Sequence, residues 1–284
     1  MARIDLQPLR RRAGRLSIAA ARATDGRLVK GIAARRVTRA SYAADRPLSV
    51  PLRRLVEAAQ PVDPLGGGAN ELPAIDLVVC AIERDAPLLP HAIDAARRTV
   101  ANPIRSVWVV TPDEQVEAAT AWCTGHTVVG ESSVIPDHLI EMTRDHIRRD
   151  RVGWAVQQLA KFLMVLHSDA PACLVLDADT MLVRRRTWLG ADGVQLLVPS
   201  LEYHRTYALH AARVWPHTEL ARGVSFVTHH QLMQRDIVIE MFGADGSGLG
   251  DWLAAADSSA TSAISEFHCY GSHLVASHPE RVRL

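Results

Sequence analysis

The chain contains the stretch Ala172-Cys-Leu-Val-Leu-Asp-Ala-Asp-Thr-Met-Leu-Val183, from which its fold can be predicted. The unbroken apolar run from Cys173 to Leu176 is typical of a buried strand in an α/β sheet. Two carboxylates, Asp177 and Asp179, follow it directly, and residues two apart on an extended chain point to the same side. Because ligands bind at the carboxyl ends of such strands, we expect both acids to face one cleft and to hold Mg²⁺ or Mn²⁺, which in turn binds a diphosphate.

Two other interpretations of the Asp-x-Asp tripeptide were weighed. The acids could belong to an ordinary turn in which their side chains hydrogen-bond backbone groups. The apolar residues after the motif, Met181-Leu182-Val183, favour a metal site over that alternative. Phosphatases of the haloacid-dehalogenase type also end a strand in Asp-x-Asp, but they need Thr or Val two residues after the second Asp, where this chain has Met181.

The composition indicates a folded, cytoplasmic protein. Of the 284 residues, 48% are hydrophobic, which is enough for a substantial core. No apolar run approaches the ~18 residues of a membrane-spanning helix, and the Arg-rich start lacks the apolar segment of a secretory signal. The four cysteines show no Cys-x-x-Cys spacing, so we expect reduced core residues rather than a disulfide or zinc framework.

Charge and composition divide the chain near residue 70. Residues 1–60 hold 14 Lys or Arg against 4 Asp or Glu, and a Gly/Pro-rich linker follows them. We therefore predict a basic, Arg/Ala-rich extension with its linker over residues 1–70 and a folded domain over residues 71–284. The extension is either a solvated arm or a peripheral contact with the anionic inner face of the membrane. Nucleic-acid binding is not expected, because Tyr42 is the only aromatic residue among the first 60.

The folded domain begins with alternating strand and helix signals. Apolar runs predict strands over residues 75–82, 106–111 and 126–129, and helical periodicity predicts helices over residues 86–100 and 113–122. This β-α-β-α-β order predicts an α/β fold with a mostly parallel sheet flanked by helices. Such a unit commonly binds a nucleotide at its strand ends.

The second half of the domain begins with a helix that leads directly into the Asp-x-Asp strand. Residues 153–167 carry an apolar helical stripe, while Gln158 and Lys161 lie on a different face. The later predicted elements are strand 194–199, helix 202–214, strand 224–228, helix 231–242 and a helical segment within 262–275.

Five segments together resemble a bacterial domain-of-unknown-function family that looks like GT-A-type glycosyltransferases. They are Ile75 to Asp85, Gly153-Trp154…Gln157-Gln158…Lys161, Leu174-Val-Leu-Asp-Ala-Asp-Thr180, Ser225-Phe-Val-Thr-His-His230 and Ser265-Glu266…Tyr270-Gly271. The resemblance implies a GT-A-like domain that uses Mn²⁺ or Mg²⁺ to transfer a sugar from a nucleotide-sugar donor, with a UDP-sugar expected. The expected acceptor is a cell-envelope or surface glycan, or a lipid-linked one.

The resemblance leaves one alternative function open and carries one expectation about the chain's end. The alternative is a catalytically silent module that keeps the fold and binds a nucleotide or a glycan. Related chains are expected to continue past Arg283-Leu284, so the domain over residues 71–284 is expected to lack the usual C-terminal end.

The resemblance also implies roles for the residues around the nucleotide. Asp179 is the expected direct metal ligand, and Asp177 would approach the ribose, or the metal through water. Glu83 and Asp85, at the end of the first strand, would hydrogen-bond the nucleotide base and ribose.

Further residues are implied at the diphosphate and the acceptor. Gln158 and Lys161 would face the diphosphate or the donor sugar, and Glu266 occupies a place similar to an acidic residue that GT-A enzymes offer to the acceptor. An inverting transfer needs a carboxylate or a histidine to take the acceptor proton, which makes Glu266 the candidate base. The ordinary alternative is an acid in the first turn of a helix whose N-cap is Ser262 or Ser265.

Two adjacent histidines complete the candidate site. His229 and His230 follow a predicted strand, where neighbouring side chains point to opposite faces, so at most one of them reaches the cleft. His229 is the candidate third metal ligand, and His230 is the candidate catalytic contact with the acceptor. The alternative for either is a hydrogen-bonded structural histidine.

Overall fold

The computed structural model describes Asp63, Leu65 and residues 72–221 and 224–284. Nearly all of the predicted extension and linker therefore lies outside the described residues, and the hypothesis about the basic arm stays a prediction. Residues 65–284 form one unit. None of the described helices is long and apolar enough to cross a membrane.

The described residues form α-helices and β-strands joined by short 3₁₀ turns. The strands are β1 (Ile75–Cys80), β2 (Ile104–Thr111), β3 (Thr127–Gly130), β4 (Ala172–Asp177), β5 (Gln195–Leu196), β6 (His230–Gln234) and β7 (Val282–Arg283). The helices are α1 (Leu89–Thr99), α2 (Val116–Trp122), α3 (Asp137–His146), α4 (Val152–His167), α5 (Arg205–Val214), α6 (Arg235–Phe242), α7 (Leu249–Ala254) and α8 (Glu266–Ser277).

The central sheet has the strand order β3-β2-β1-β4-β6. The four strands from β3 to β4 run parallel, and β6 pairs antiparallel with β4 along the edge. The fold class predicted from the sequence, α/β with a mostly parallel sheet flanked by helices, is confirmed. A second sheet of two short parallel strands joins β5 to β7 near the end of the chain.

The two central strands are buried almost throughout. Every residue of β1 is buried, and so is every residue of β4 except Asp177. Helix α4 packs against both strands, and its own apolar residues are buried from Ala155 to Leu166. Continuous apolar runs suit this position, because a parallel sheet covered by helices is shielded from water on both faces. The predicted buried strands therefore lie where their composition requires, and all four cysteines are buried and free.

One buried acid stabilises the pairing of β1 with β2. Asp76 is fully buried and accepts hydrogen bonds from Arg105 over 2.8 and 3.0 Å, from the Trp108 indole over 3.3 Å and from the Ser168 hydroxyl over 2.6 Å. Burial alone would raise the pKa of Asp76, but these partners hold it below its ordinary value. A buried charge near the start of β1 is tolerated because both carboxylate oxygens have hydrogen-bond partners.

The segment after residue 224 differs from the sequence prediction. A strand over 224–228 and a helix over 231–242 are wrong: β6 covers His230–Gln234, and α6 begins only at Arg235. The reason is tertiary: Leu232 pairs with Leu174 of β4, and the edge of the sheet supplies hydrogen bonds that the local pattern does not reveal.

One smaller prediction also differs from the structure. The predicted strand over 194–199 is reduced to Gln195–Leu196, the part that pairs with β7. After β1, the carboxylate of Asp85 accepts the backbone N–H of Ile82 over 3.2 Å and closes the 3₁₀ turn.

Candidate active site

The Asp-x-Asp motif lies at the carboxyl end of β4, in the middle of the sheet. Asp177 is the last residue of β4 and is paired with Cys80, the last residue of β1. The chain then turns, because the Thr180 N–H donates to the carbonyl oxygen of Asp177 over 2.9 Å. The two acids therefore do not share one extended strand as predicted: Asp177 is partly buried, whereas Asp179 is exposed.

Lys161 of α4 joins two carboxylates from distant parts of the chain. Its Nζ lies 2.6 Å from Oδ1 of Asp177 and 2.6 Å from Oε1 of Glu266, and its side chain is only 6% exposed. The same ammonium lies over the ring of Phe267, 4.4 Å from its centre. Burial by itself lowers the pKa of Lys161, but the two carboxylates raise it above its ordinary value, so the side chain is a permanent cation.

Glu266 is placed by the first turn of α8. Ser265 caps this helix through a hydrogen bond that its hydroxyl accepts from the His268 N–H over 3.2 Å, as one of the two predicted caps. The Glu266 N–H donates to Oε1 of Gln158 over 3.0 Å. Nε2 of Gln158 is buried and has no hydrogen-bond partner among the described residues, so this amide has a donor left for a ligand.

His229 reaches Asp177 from the other side. Its backbone is left-handed, with φ at 61°, so it is not a regular strand residue, and its Nδ1 lies 2.9 Å from Oδ2 of Asp177. Its Nε2 lies 3.3 Å from Oε2 of Glu202. Hydrogen bonds to these two carboxylates raise the pKa of His229 to about 10. A divalent cation at this position would take the place of the proton on the ring.

The charges beside Asp177 determine its ionisation. Burial raises the pKa of Asp177, but Lys161 and His229 together lower it to about 2. Both of its carboxylate oxygens are engaged by these side chains and not by backbone groups, which contradicts the ordinary-turn interpretation for this residue. Asp179, by contrast, has no hydrogen-bond or ion-pair partner in the part of the chain that is described.

The described residues fit a divalent cation by their chemistry. Asp179 offers a carboxylate that no described residue engages, and Asp177 and His229, which contact each other, offer an oxygen and a ring nitrogen. Oxygen ligands with one imidazole suit Mn²⁺, and the oxygens suit Mg²⁺ as well. Lys161 adds a fixed positive charge for a phosphate.

Glu83 and Asp85 lie after β1, at the same edge of the sheet as Asp177. The Glu83 side chain is exposed, and its N–H donates to Oε1 of Gln115 over 2.7 Å, which ties the turn after β1 to the turn after β2. Asp85 is partly buried, and its carboxylate already accepts a hydrogen bond from the backbone N–H of Ile82 within the same turn. Glu83 is thus the freer of the two carboxylates for a nucleotide.

His230 occupies a different environment from His229. It begins β6, and its ring packs edge-on against the ring of Trp188, with 5.3 Å between the centres. Burial lowers the pKa of His230, and its Nδ1 is buried without a hydrogen-bond partner among the described residues. Of the two histidines, His229 hydrogen-bonds with Asp177, and no such contact joins His230 to Asp177 among the described residues.

Two residues of this site, Glu202 and His204, were not predicted from the sequence. Glu202 contacts His229 and also His204, whose Nε2 lies 3.1 Å from Oε1 of Glu202. Hydrogen bonds from the two histidines lower the pKa of Glu202 to about 2. The sequence places Glu202 at the start of a helix; that helix begins only at Arg205, and no local signal links residue 202 to residue 229.

Comparison with solved structures finds similar chains at low sequence identity. The chain is similar to mannosyl-3-phosphoglycerate synthase from Rubrobacter xylanophilus, at 16% identity over 66% of this chain and 68% of that one, with a TM-score of 0.37. It is also similar to glucosyl-3-phosphoglycerate synthase from Mycobacterium tuberculosis in complex with Mn²⁺, UDP and phosphoglyceric acid, at 14% identity over 63% and 68% of the two chains, with a TM-score of 0.38. No curated protein matches the chain.

A protein-family model gives the broader assignment. The model described as a family of unknown function, DUF6492, matches residues 95–279, which include helix α4, the Asp-x-Asp motif, both adjacent histidines and Glu266. The match covers well over half of the chain, and the chain belongs to this family.

Proposed function

We propose that this chain is a metal-dependent glycosyltransferase that moves a sugar from a nucleotide-sugar donor, a UDP-sugar being the first to test, to a glycan or lipid-linked acceptor. One observation carries the proposal: an unengaged carboxylate, Asp179, follows a central strand whose last residue, Asp177, contacts a buried lysine and a histidine. Cation ligands and a fixed positive charge assist the breaking of a sugar–phosphate bond, because negative charge develops on the departing diphosphate.

Each side chain has a role in this proposal. Asp179, Asp177 and His229 would hold Mn²⁺ or Mg²⁺, and the bound ion would neutralise the diphosphate. Lys161 would bind a phosphate oxygen, with the free amide donor of Gln158 beside it.

Glu266 is proposed as the group that accepts the proton of the acceptor hydroxyl. Its side chain is buried, being 5% exposed, and its Oε1 lies 2.6 Å from Nζ of Lys161, which fixes the position of the carboxylate that a general base would supply. Among the described residues, His230 makes no hydrogen bond or ion pair with Lys161, Asp177 or Glu266. Its contact with the acceptor is therefore proposed from the sequence alone.

The second candidate is a silent nucleotide- or glycan-binding module. The observation that favours it is that Lys161 and His229 engage Glu266 and both oxygens of Asp177, whereas Asp179 has no partner among the described residues. In a protein that only binds, this arrangement would persist with the nucleotide present.

The test uses Asp179→Ala, with Asp145→Ala as the control, since Asp145 is an exposed aspartate on α3. Calorimetry should show Mn²⁺-dependent UDP binding in the wild type and the control, and a loss of at least about tenfold in affinity in Asp179→Ala. Unchanged affinity in that variant would refute the metal assignment. Slow hydrolysis of a UDP-sugar in the wild type but not in Glu266→Gln identifies an enzyme, whereas binding without hydrolysis or transfer for any donor identifies the silent module.

The basic extension is proposed to hold the protein at the cytoplasmic face of the membrane. The support is the excess of 14 basic over 4 acidic residues in the first 60. Deletion of residues 1–60 should abolish co-sedimentation with anionic vesicles at low salt and leave UDP binding unchanged. Equal sedimentation of both proteins would rule out this role.

A further inference from the structure

Three side chains that bind transition metals converge at the C-terminal end of α8. They are Glu240 on α6, His273 on α8 and His278, which caps the end of that helix. Nε2 of His273 lies 3.1 Å from one carboxylate oxygen of Glu240, and Nε2 of His278 lies 2.8 Å from the other. One ligand atom from each residue lies within 4.8 Å of the other two.

This cluster is separate from the candidate active site. Strand β6 runs from His230, beside Leu176, to Gln234, beside Ala172, and so carries the chain from the carboxyl edge of β4 to its opposite end before α6 begins. Helix α8 begins at Glu266 and reaches His273 seven residues later, a rise of about 10 Å. The cluster therefore belongs to the far ends of these two helices.

The spacing of the ligand atoms suits a tetrahedral ion. Ligands about 2.1 Å from Zn²⁺ lie about 3.4 Å from one another. The two imidazole nitrogens lie 3.1 and 2.8 Å from different oxygens of Glu240, and one ligand atom from each residue lies within 4.8 Å of the other two, so small side-chain shifts reach that spacing. Two imidazoles and one carboxylate form a ligand set that binds Zn²⁺ and leaves a fourth position for water. Imidazole nitrogen also selects Zn²⁺ over Mg²⁺ and Ca²⁺, unlike the oxygen-rich site around Asp177 and Asp179.

A second layer of groups orients the buried histidine. The His273 side chain is 4% exposed, and its Nδ1 lies 3.1 Å from Nε2 of His217. When the Nδ1–H of His273 is donated to His217, its Nε2 carries the lone pair that an ion between His273 and Glu240 would take, as in a metal-ligating histidine. Glu280, 3.8 Å from Nδ1 of His278, adds a further negative charge next to the second imidazole.

We propose that Glu240, His273 and His278 bind one Zn²⁺ ion that links α6 to the C-terminal end of α8. The ligands come from segments 33 residues apart along the chain, so the bound ion cross-links two elements that the sheet alone does not join. The role of the ion is structural: it stabilises the folded chain and leaves the site around Asp179 unchanged.

The experiment uses the full chain without a polyhistidine tag, stripped with EDTA and titrated with Zn²⁺ against a colorimetric chelator. The wild type should bind one tight equivalent. Glu240→Gln and His278→Gln should lose it by at least about 100-fold in affinity, and Co²⁺ should give visible absorption bands of a tetrahedral site only in the wild type. His138→Gln, on an exposed histidine of α3, and Asp179→Ala should both keep the tight equivalent.

Thermal unfolding gives a second readout. Zn²⁺ at about 100-fold above its dissociation constant should raise the Tm of the wild type by about 5 °C or more, and should leave the Tm of His278→Gln unchanged. His278 is partly exposed, so its substitution tests the ion without emptying a buried position. The proposal is overturned if the wild type binds no tight Zn²⁺, if both ligand variants bind it as tightly as the wild type, or if Asp179→Ala removes it.

Discussion

Replacing Lys161 by methionine tests the physical core of the candidate site. Methionine keeps the volume of the lysine stem in α4 but removes the charge, so Glu266, with a side chain 5% exposed, loses its ion-pair partner. Asp177 is 27% exposed and still has His229, so most of the cost comes from Glu266. Removing one partner of a buried ion pair typically costs about 3–5 kcal/mol, and we expect a loss in that range at pH 7.

Urea unfolding of the full chain measures this loss. With an m-value of about 2 kcal/mol/M, the midpoint should fall by about 1.5–2.5 M. The matched variant is Lys161→Met combined with Glu266→Leu, which removes the stranded charge together with its partner. It should recover at least about 2 kcal/mol of the loss, since apolar replacement of a whole buried pair is often neutral. A loss below about 1 kcal/mol in Lys161→Met, or no recovery in the double variant, would show that these charges are not held as described.

Two further predictions concern the free energy of unfolding. Burial raises the pKa of Glu131 from 4.5 to about 7. Between pH 5 and 8 this carboxyl ionises more completely in the unfolded chain than in the folded one, so the free energy of unfolding of the wild type should fall by about 2 kcal/mol relative to that of Glu131→Gln. Urea titrations in which the difference between the two proteins is the same at both pH values would contradict this. In α8, a Cβ at Gly271 would lie 2.5 Å from Cγ of the buried Phe226, so Gly271→Ala should lower the free energy of unfolding by about 2 kcal/mol. Gly153→Ala in α4, which has open space around the added methyl group, should raise it by up to about 1 kcal/mol. Equal Tm values for the two variants would refute the clash.

The sequence by itself determined the α/β class, the parallel order of the first strands and the position of Asp177 at a strand end. These features follow from short-range patterns. Continuous apolar runs are typical of strands buried on both faces of a sheet, and helical segments between such runs indicate crossover connections between parallel strands. The cap of α8 at Ser265 was also predictable, because a capping bond joins residues only three apart.

Only the tertiary structure decided what surrounds those carboxylates. Lys161 contacts Glu266, which lies 105 residues later in the sequence, and Glu202 contacts His229, which lies 27 residues later. Helical and strand periodicity relate only residues a few positions apart, so neither contact can be predicted from such a pattern. The strand β6 was mistaken for part of a helix for the same reason, because its hydrogen bonds come from β4 and not from its neighbours in the chain. Which charges share a buried site depends on how the helices pack, and packing is a property of the whole sheet and its helices.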